Sequence, residues 1–200
     1  MPTYLVILLH GLGADAADFR PLARALAPGL PQAELLVPDG FHPFDGGGPG
    51  RQWFSVRGVT EANRLARVKE AVAEVSRYAD AELGKRGLAA DRLVLVGFSQ
   101  GAIVAASLAL HRRPAPAALV LLSGRVADDA TPVAGTLSLP VLVAHGTADP
   151  VMPVALVEPG VRTLSAWGAQ VTTRLYPGLG HEVSPEELRD VQAFLSKALR

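Results

Sequence analysis

The chain predicts an α/β fold, a mostly parallel central sheet of about six strands with helices on both faces, in a single domain over residues 1–200. Three observations predict it. Short β-branched or leucine-rich runs recur, and most are apolar throughout, as expected of strands buried on both faces. Helical stripes lie between them. Behind one run and ahead of an alanine-rich stretch stands Gly97-Phe98-Ser99-Gln100-Gly101, a strand, sharp turn and helix with a serine at the apex.

Tyr4–Leu9 reads as the first strand, and Phe19, Leu22, Ala23 and Leu26 mark one face of the first helix. Glu34–Val37 is the next strand. Gly46-Gly47-Gly48-Pro49-Gly50 is a loop rather than a domain boundary, because a strong helix follows: Leu65, Val68, Val72, Val75 and Ala79, with Thr60 as its cap. Leu93–Val96 leads into the serine turn and the small-residue helix Ala102–Leu110; Leu119–Ser123 and Val141–Ala144 are two further strands. Between Ser123 and Val141 lies a short segment rich in Ala, Thr, Pro and Gly, from which no helical lid domain can be built. In Val154–Trp167, Pro159-Gly160 implies either a helix starting near Pro159 or a kinked one. Gln170–Tyr176 is the last strand. Ser184, Pro185 and Glu187 then fit the N-cap, N1 and N3 positions of a capping box, with Val183 and Leu188 as staple. Leu188, Val191, Phe194, Leu195 and Ala198 form the buried stripe of that final helix.

Composition narrows the function classes. The chain is 49% hydrophobic and 19% charged, and its 19 basic and 19 acidic residues cancel without a basic run, which argues against nucleic acid and anionic membranes as partners. The absence of cysteine excludes disulfides, cysteine-rich metal sites and a cysteine nucleophile. No positive residue precedes Tyr4–Leu9, that run is too short for a signal peptide, and no stretch can span a bilayer, so a cytoplasmic location without integral membrane association is expected.

The chemistry starts at Ser99. A strained turn exposes its hydroxyl above the sheet at the positive end of the following helix, and glycines are needed two residues either side, where side chains would collide with neighbouring elements. A serine is inert without a base, an orienting acid and donors for the oxyanion. In a nucleophile elbow the order is Ser, Asp or Glu, His, each partner on a loop after a later strand. His10 and His42 precede the serine, His111 ends the helix leaving it, and His145 begins a His-Gly turn that shapes a loop. His181, after the last strand, is the candidate base. Asp149 is the carboxylate on the loop after Val141–Ala144, with Asp128 and Asp129 on the preceding connection as the alternative. The turn His10-Gly11-Leu12-Gly13 aims the Leu12 amide at a reacting carbonyl, and the Gln100 amide is the second donor. No Lys-Ser/Thr follows this turn and no full G-x-G-x-x-G is present, so a phosphate-binding loop is excluded.

With these residues, and with Gly50-Arg51-Gln52-Trp53-Phe54-Ser55, His145–Pro150 and Gly180-His181, the chain resembles the phospholipase/carboxylesterase family of α/β hydrolases over nearly its whole length, closest to its bacterial carboxylesterase branch. The resemblance implies the α/β-hydrolase fold, a Ser99–Asp149–His181 triad, and hydrolysis of carboxylic esters or thioesters, including lysophospholipids, without metal or organic cofactor. The partner implied is a small-molecule ester or thioester. Two departures stand out: Ala14 replaces an acidic residue usual after the HGLG turn, leaving any support of that loop absent or shifted to Asp15, and the chain starts almost at its first strand, so a narrow sheet is expected. Phe41, Phe44, Trp53, Phe54 and Met152 are candidates for substrate contact, weighed against plain packing. The alternative functions are a non-catalytic scaffold of this fold that binds a small ligand, and an amide or lactone hydrolase.

Overall fold

The computed structural model describes residues 2–127 and 137–200. The apolar runs become β1 (Tyr4–Leu9), β2 (Ala33–Leu36), β5 (Leu93–Phe98), β6 (Ala118–Leu122), β7 (Pro140–Gly146) and β8 (Gln170–Tyr176). They form one sheet in the order β2-β1-β5-β6-β7-β8, parallel at every described pairing. A hairpin of two-residue strands, β3 (His42–Pro43) and β4 (Arg51–Gln52), stands apart. Two-residue strands carry no periodicity, so this hairpin is not visible in the sequence.

Among the described residues five α-helices cover the sheet: α1 (Ala16–Leu26), α2 (Glu61–Lys85), α3 (Gln100–His111), α4 (Val157–Ala166) and α5 (Pro185–Ala198). Alternation along each strand divides the core. Leu5, Ile7, Leu9, Leu93 and Leu95 face α2, α3 and α4, while Val6, Leu8, Val94 and Val96 face α1 and α5. Along α3 every residue from Gln100 to Leu110 is buried, and Ala102, Ala105, Ala106 and Ala109 let it lie close between the sheet and α2.

Two expectations are corrected, and others fall outside the described residues. β5 and β7 each run two residues past their apolar cores, so His145 sits inside β7 and does not open a turn. Of the two readings at Pro159, the start nearby holds and the kink does not: a 3₁₀ turn over Val154–Leu156 leads into α4, which begins two residues before Pro159 and leaves it in the first turn, where a missing N–H costs nothing. The acidic alternatives Asp128 and Asp129, and much of the segment in which no lid was expected, lie outside the described residues.

The capping box of α5 forms as expected: Ser184 Oγ accepts from the Glu187 N–H at 3.1 Å. Glu187 is fully buried, and its Oε1 has no partner among the described residues. Burial pushes this carboxyl up to about 7, against the opposing hydrogen bond at Ser184. A raised carboxyl pKa gives stability that is complete below the ordinary carboxylate range and lost as pH rises through about 7. Glu187→Gln keeps the capping box, so above pH 8 it should be more stable than the parent by about 3 kcal/mol, read from melting temperatures, and converge with it near pH 4. Parallel melting curves across that range would show that Glu187 does not titrate in the folded protein.

The topology places the site. From β1 the chain adds β2 on one side, then returns to build β5 through β8 on the other, with α1 and α3 on opposite faces. The loops leaving β1 and β5 therefore part, opening a crevice at the carboxyl edge of the sheet. No described helix is long and apolar enough to cross a membrane.

Candidate active site

Ser99 stands between β5 and α3 at φ 53° and ψ −115°, a left-handed conformation that costs a non-glycine residue about 1–3 kcal/mol. Neighbours hold it there: its N–H donates to Leu122 O at 2.9 Å, and its carbonyl accepts from Ala102 N–H at 3.1 Å. The flanking glycines answer to contact rather than torsion. A Cβ on Gly97 would lie 2.5 Å from Gly101 O, and one on Gly101 would lie 2.1 Å from Leu9 O.

Two loops deliver the partners of Ser99. Asp149 follows β7, His181 follows β8, and the loops are fastened to each other: Ala148 N–H donates to Leu179 O at 3.0 Å, and Gly178 N–H to Thr147 Oγ1 at 3.0 Å. Gly146 permits this approach, since a Cβ there would fall 2.3 Å from Leu179 O. His181 Nδ1 lies 2.7 Å from Asp149 Oδ2, and its Nε2 lies 2.9 Å from Ser99 Oγ. An ionised carboxylate only accepts, so Nδ1 carries the proton and Nε2 of the neutral ring accepts from the serine hydroxyl. The Asp149 side chain is completely buried, and its Oδ1 accepts from the Val151 and Met152 N–H groups at 2.8 Å each. Burial acts to raise its pKa, yet the hydrogen bonds from His181, Met152 and Val151 outweigh it and hold the group below the ordinary carboxylate value. The arrangement can move a proton from Ser99 to His181 beside a fixed negative charge.

None of the other histidines is hydrogen-bonded to Ser99 among the described residues. His42 pairs with Glu74 at 2.9 Å, His111 meets Trp167 edge-on at the end of α3, and His145 is buried in β7. His10 has a structural task that its position before the serine does not reveal. Its Nε2 accepts from the Gly40 N–H at 2.8 Å, which leaves Nδ1–H to donate to Gly11 O at 2.7 Å. Burial lowers the His10 pKa, only partly opposed by that Gly11 hydrogen bond, so the ring stays neutral in this role.

The Leu12 and Gln100 N–H groups both lack a protein acceptor among the described residues. Their segments are tied together through Trp53-Phe54. The Gln100 side chain accepts from Trp53 N–H and donates to Phe54 O, both at 2.8 Å, while Trp53 Nε1 donates to His10 O at 2.8 Å. Support for the HGLG turn has not shifted to Asp15, which caps α1 by accepting from Ala17 and Asp18 N–H. Backbone bonds to Arg51 hold the turn instead, from Gly13 N–H to Arg51 O and from Arg51 N–H to Ala14 O, each 2.9 Å. The sequence signal for this brace is the Arg-x-Trp-Phe element.

A recess of about 360 Å³ opens on Ser99 and His181, with Leu12, Phe19, Leu22, Phe98 and Val183 as its apolar walls. None of the five candidates for substrate contact is among its lining residues. Trp53 is fully buried, edge-on to Phe41 at 5.5 Å; Phe54 is core; Phe41 also packs on Tyr78. Phe44 covers Gly13, and Met152 packs on the core. Trp53 and Phe54 border a different cavity of about 380 Å³, with His42, Asp45, Arg67 and Glu70, and Ser99 is not part of its lining. Phe41, Trp53 and Phe54 thus pack in the interior, and Phe19 and Leu22 of α1 share the wall with Leu12, Phe98 and Val183.

A parallel sheet with a serine on the tight turn after β5, and a histidine between that serine and a buried aspartate, defines an α/β hydrolase. Comparison with known proteins narrows the class. The family model for phospholipase/carboxylesterase matches residues 1–199, and the chain belongs to that family. It is 32% identical over 189 residues to the esterase YpfH of Escherichia coli K12, covering 92% of this chain and 78% of that protein. With acyl-protein thioesterase 1 of Mycosarcoma maydis it shares 30% identity over 227 residues, covering 99% of this chain and 92% of that one. The crystal structure of esterase PE8 superposes with a TM-score of 0.88 at 27% identity, covering 98% and 93% of the two chains. The protein is a serine hydrolase of the carboxylesterase type.

Proposed function

We propose that this protein hydrolyses short- to medium-chain carboxylic esters, and thioesters of similar size, with Ser99 as nucleophile, His181 as general base and acid, and Asp149 as the group that orients and stabilises the imidazolium. The observation that carries the reading is the continuous contact from Asp149 Oδ2 through both nitrogens of His181 to Ser99 Oγ. Ser99 Oγ attacks the acyl carbon as its proton passes to His181 Nε2, and the negative charge on the carbonyl oxygen is met by the Leu12 and Gln100 N–H groups. Collapse expels the alcohol or thiol, which takes the proton from His181. Water, deprotonated by the same ring, then attacks the acyl-serine, releases the acid and returns the proton to Ser99. Each proton and charge in this cycle is handled by a protein group.

The recess sets the expected selectivity. Each acyl methylene that reaches apolar wall adds about 0.8 kcal/mol, roughly fourfold in kcat/KM, until the wall ends. Across aryl esters from acetyl to dodecanoyl, kcat/KM should climb over the first few carbons and then flatten or fall. Preference that rises steadily to long-chain triglycerides, or a jump in rate at the solubility limit, would instead describe a lipase with interfacial activation.

A further inference from the structure

Like His10, the buried His145 remains outside this cycle. The His145 side chain is wholly enclosed within β7. Its Nε2 lies 2.7 Å from Met152 O, so that nitrogen carries a proton and donates. The other ring nitrogen, Nδ1, is buried and has no partner among the described residues. An unmet acceptor in the core is costly, and an apolar side chain would avoid it, so a histidine at this position points to a need for the N–H on the other side of the ring.

That N–H reaches the turn carrying Asp149. The Met152 N–H donates to Asp149 Oδ1 at 2.8 Å, while the Met152 carbonyl is held by His145. The same His145 Nε2 lies 3.7 Å from Asp149 Oδ2, the oxygen that receives the His181 Nδ1 proton. β7 is hydrogen-bonded to strands on both sides, so the imidazole is a fixed point on the sheet against which the 149–152 turn is set. We propose that His145 is a positioning residue for the reaction: by gripping Met152 O and presenting its N–H edge to Oδ2, it fixes the rotation of the Asp149 carboxylate and hence the aim of His181 at Ser99. The inference rests on the triad reading above. Small errors of aim between reacting groups can cost up to a hundredfold in rate, which sets the expected scale.

Two polar substitutions differ in reach. His145→Gln can place an amide N–H near the position of Nε2, whereas the shorter side chain of His145→Asn cannot reach Met152 O. Using a chromogenic short-chain ester, kcat, KM and melting temperature are measured for both, with Asp149→Asn alone and combined with His145→Asn. The expected result is a ten- to hundredfold fall in kcat for His145→Asn with KM within twofold, recovery to within threefold of the parent for His145→Gln, and no further loss from His145→Asn once Asp149 is Asn. Wild-type kcat in His145→Asn, an equal loss in both folded variants, or full additivity with Asp149→Asn would overturn the proposal. So would an unfolded His145→Asn beside an active His145→Gln, which would make the residue purely structural. An unimpaired Asp149→Asn would overturn the triad reading itself, and the inference with it; a severe loss there beside a normal His145→Asn would overturn this inference alone.

Discussion

Ser99→Ala should lower kcat by about 10⁴- to 10⁶-fold, and His181→Ala almost as far, because a nucleophile and its base act as one unit and what remains is only binding and oxyanion stabilisation. The fold should survive the first change. Alanine meets the same backbone torsions at position 99, its Cβ occupies the place of the serine Cβ, and the bonds from Ser99 N–H to Leu122 O and from Ala102 N–H to Ser99 O are backbone bonds that persist. The measurements are kcat on a soluble ester, covalent labelling by a fluorophosphonate, and the melting temperature. Labelling should disappear in Ser99→Ala with melting unchanged. Activity within a hundredfold of the parent would remove Ser99 as nucleophile, and a His145→Ala variant as damaged as His181→Ala, with its fold intact, would overturn His181 as the base.

Asp149→Asn carries the second large effect, a loss of roughly 10⁴ in kcat with little change in structure. The direction follows from the hydrogen bonds. Two N–H groups, from Val151 and Met152, point at the Oδ1 position and require an acceptor there. The asparagine carbonyl must take that place, which turns its NH₂ toward His181 Nδ1. The ring then accepts at Nδ1 and carries its proton on Nε2, facing Ser99 Oγ with a donor where an acceptor is needed. Rate measurements on this variant, beside Asp128→Asn and Asp129→Asn, decide the matter: Asp149→Asn within tenfold of the parent, with either of the others inactive, would transfer the role of the acid.

Much of this was legible in the linear chain. Strands β1 and β8 end where their runs end because a turn signal follows each directly: His10-Gly11 after the first, Pro177-Gly178 after the second. The cap of α5 was legible for a similar reason, since Ser184, Pro185 and Glu187 act within one turn of helix. The walls of the recess were not. Phe19 and Leu22 sit on the core-facing stripe of α1, and whether such a stripe also reaches a site depends on how the helix lies across the sheet. Trp53 was legible as an aromatic beside a motif, but its burial under β1 and α3 depends on chain some 43 to 47 residues away, at His10 and Gln100.

The sequence alone pointed to the parallel α/β architecture, to Ser99, His181 and, ahead of Asp128 and Asp129, Asp149 as the candidate groups, and to the glycines around the elbow, because local periodicity, turn chemistry and motif spacing are written within a few residues. Tertiary structure alone decided what surrounds them. It put the β7 and β8 loops in register, made Gly146 a point of close approach, let Gln100 clamp Trp53 and Phe54, and turned His145 from a loop residue into a buried strand residue bonded to Met152 O. Those are contacts between segments far apart in the chain, and their geometry exists only once the sheet has set the distances between its loops.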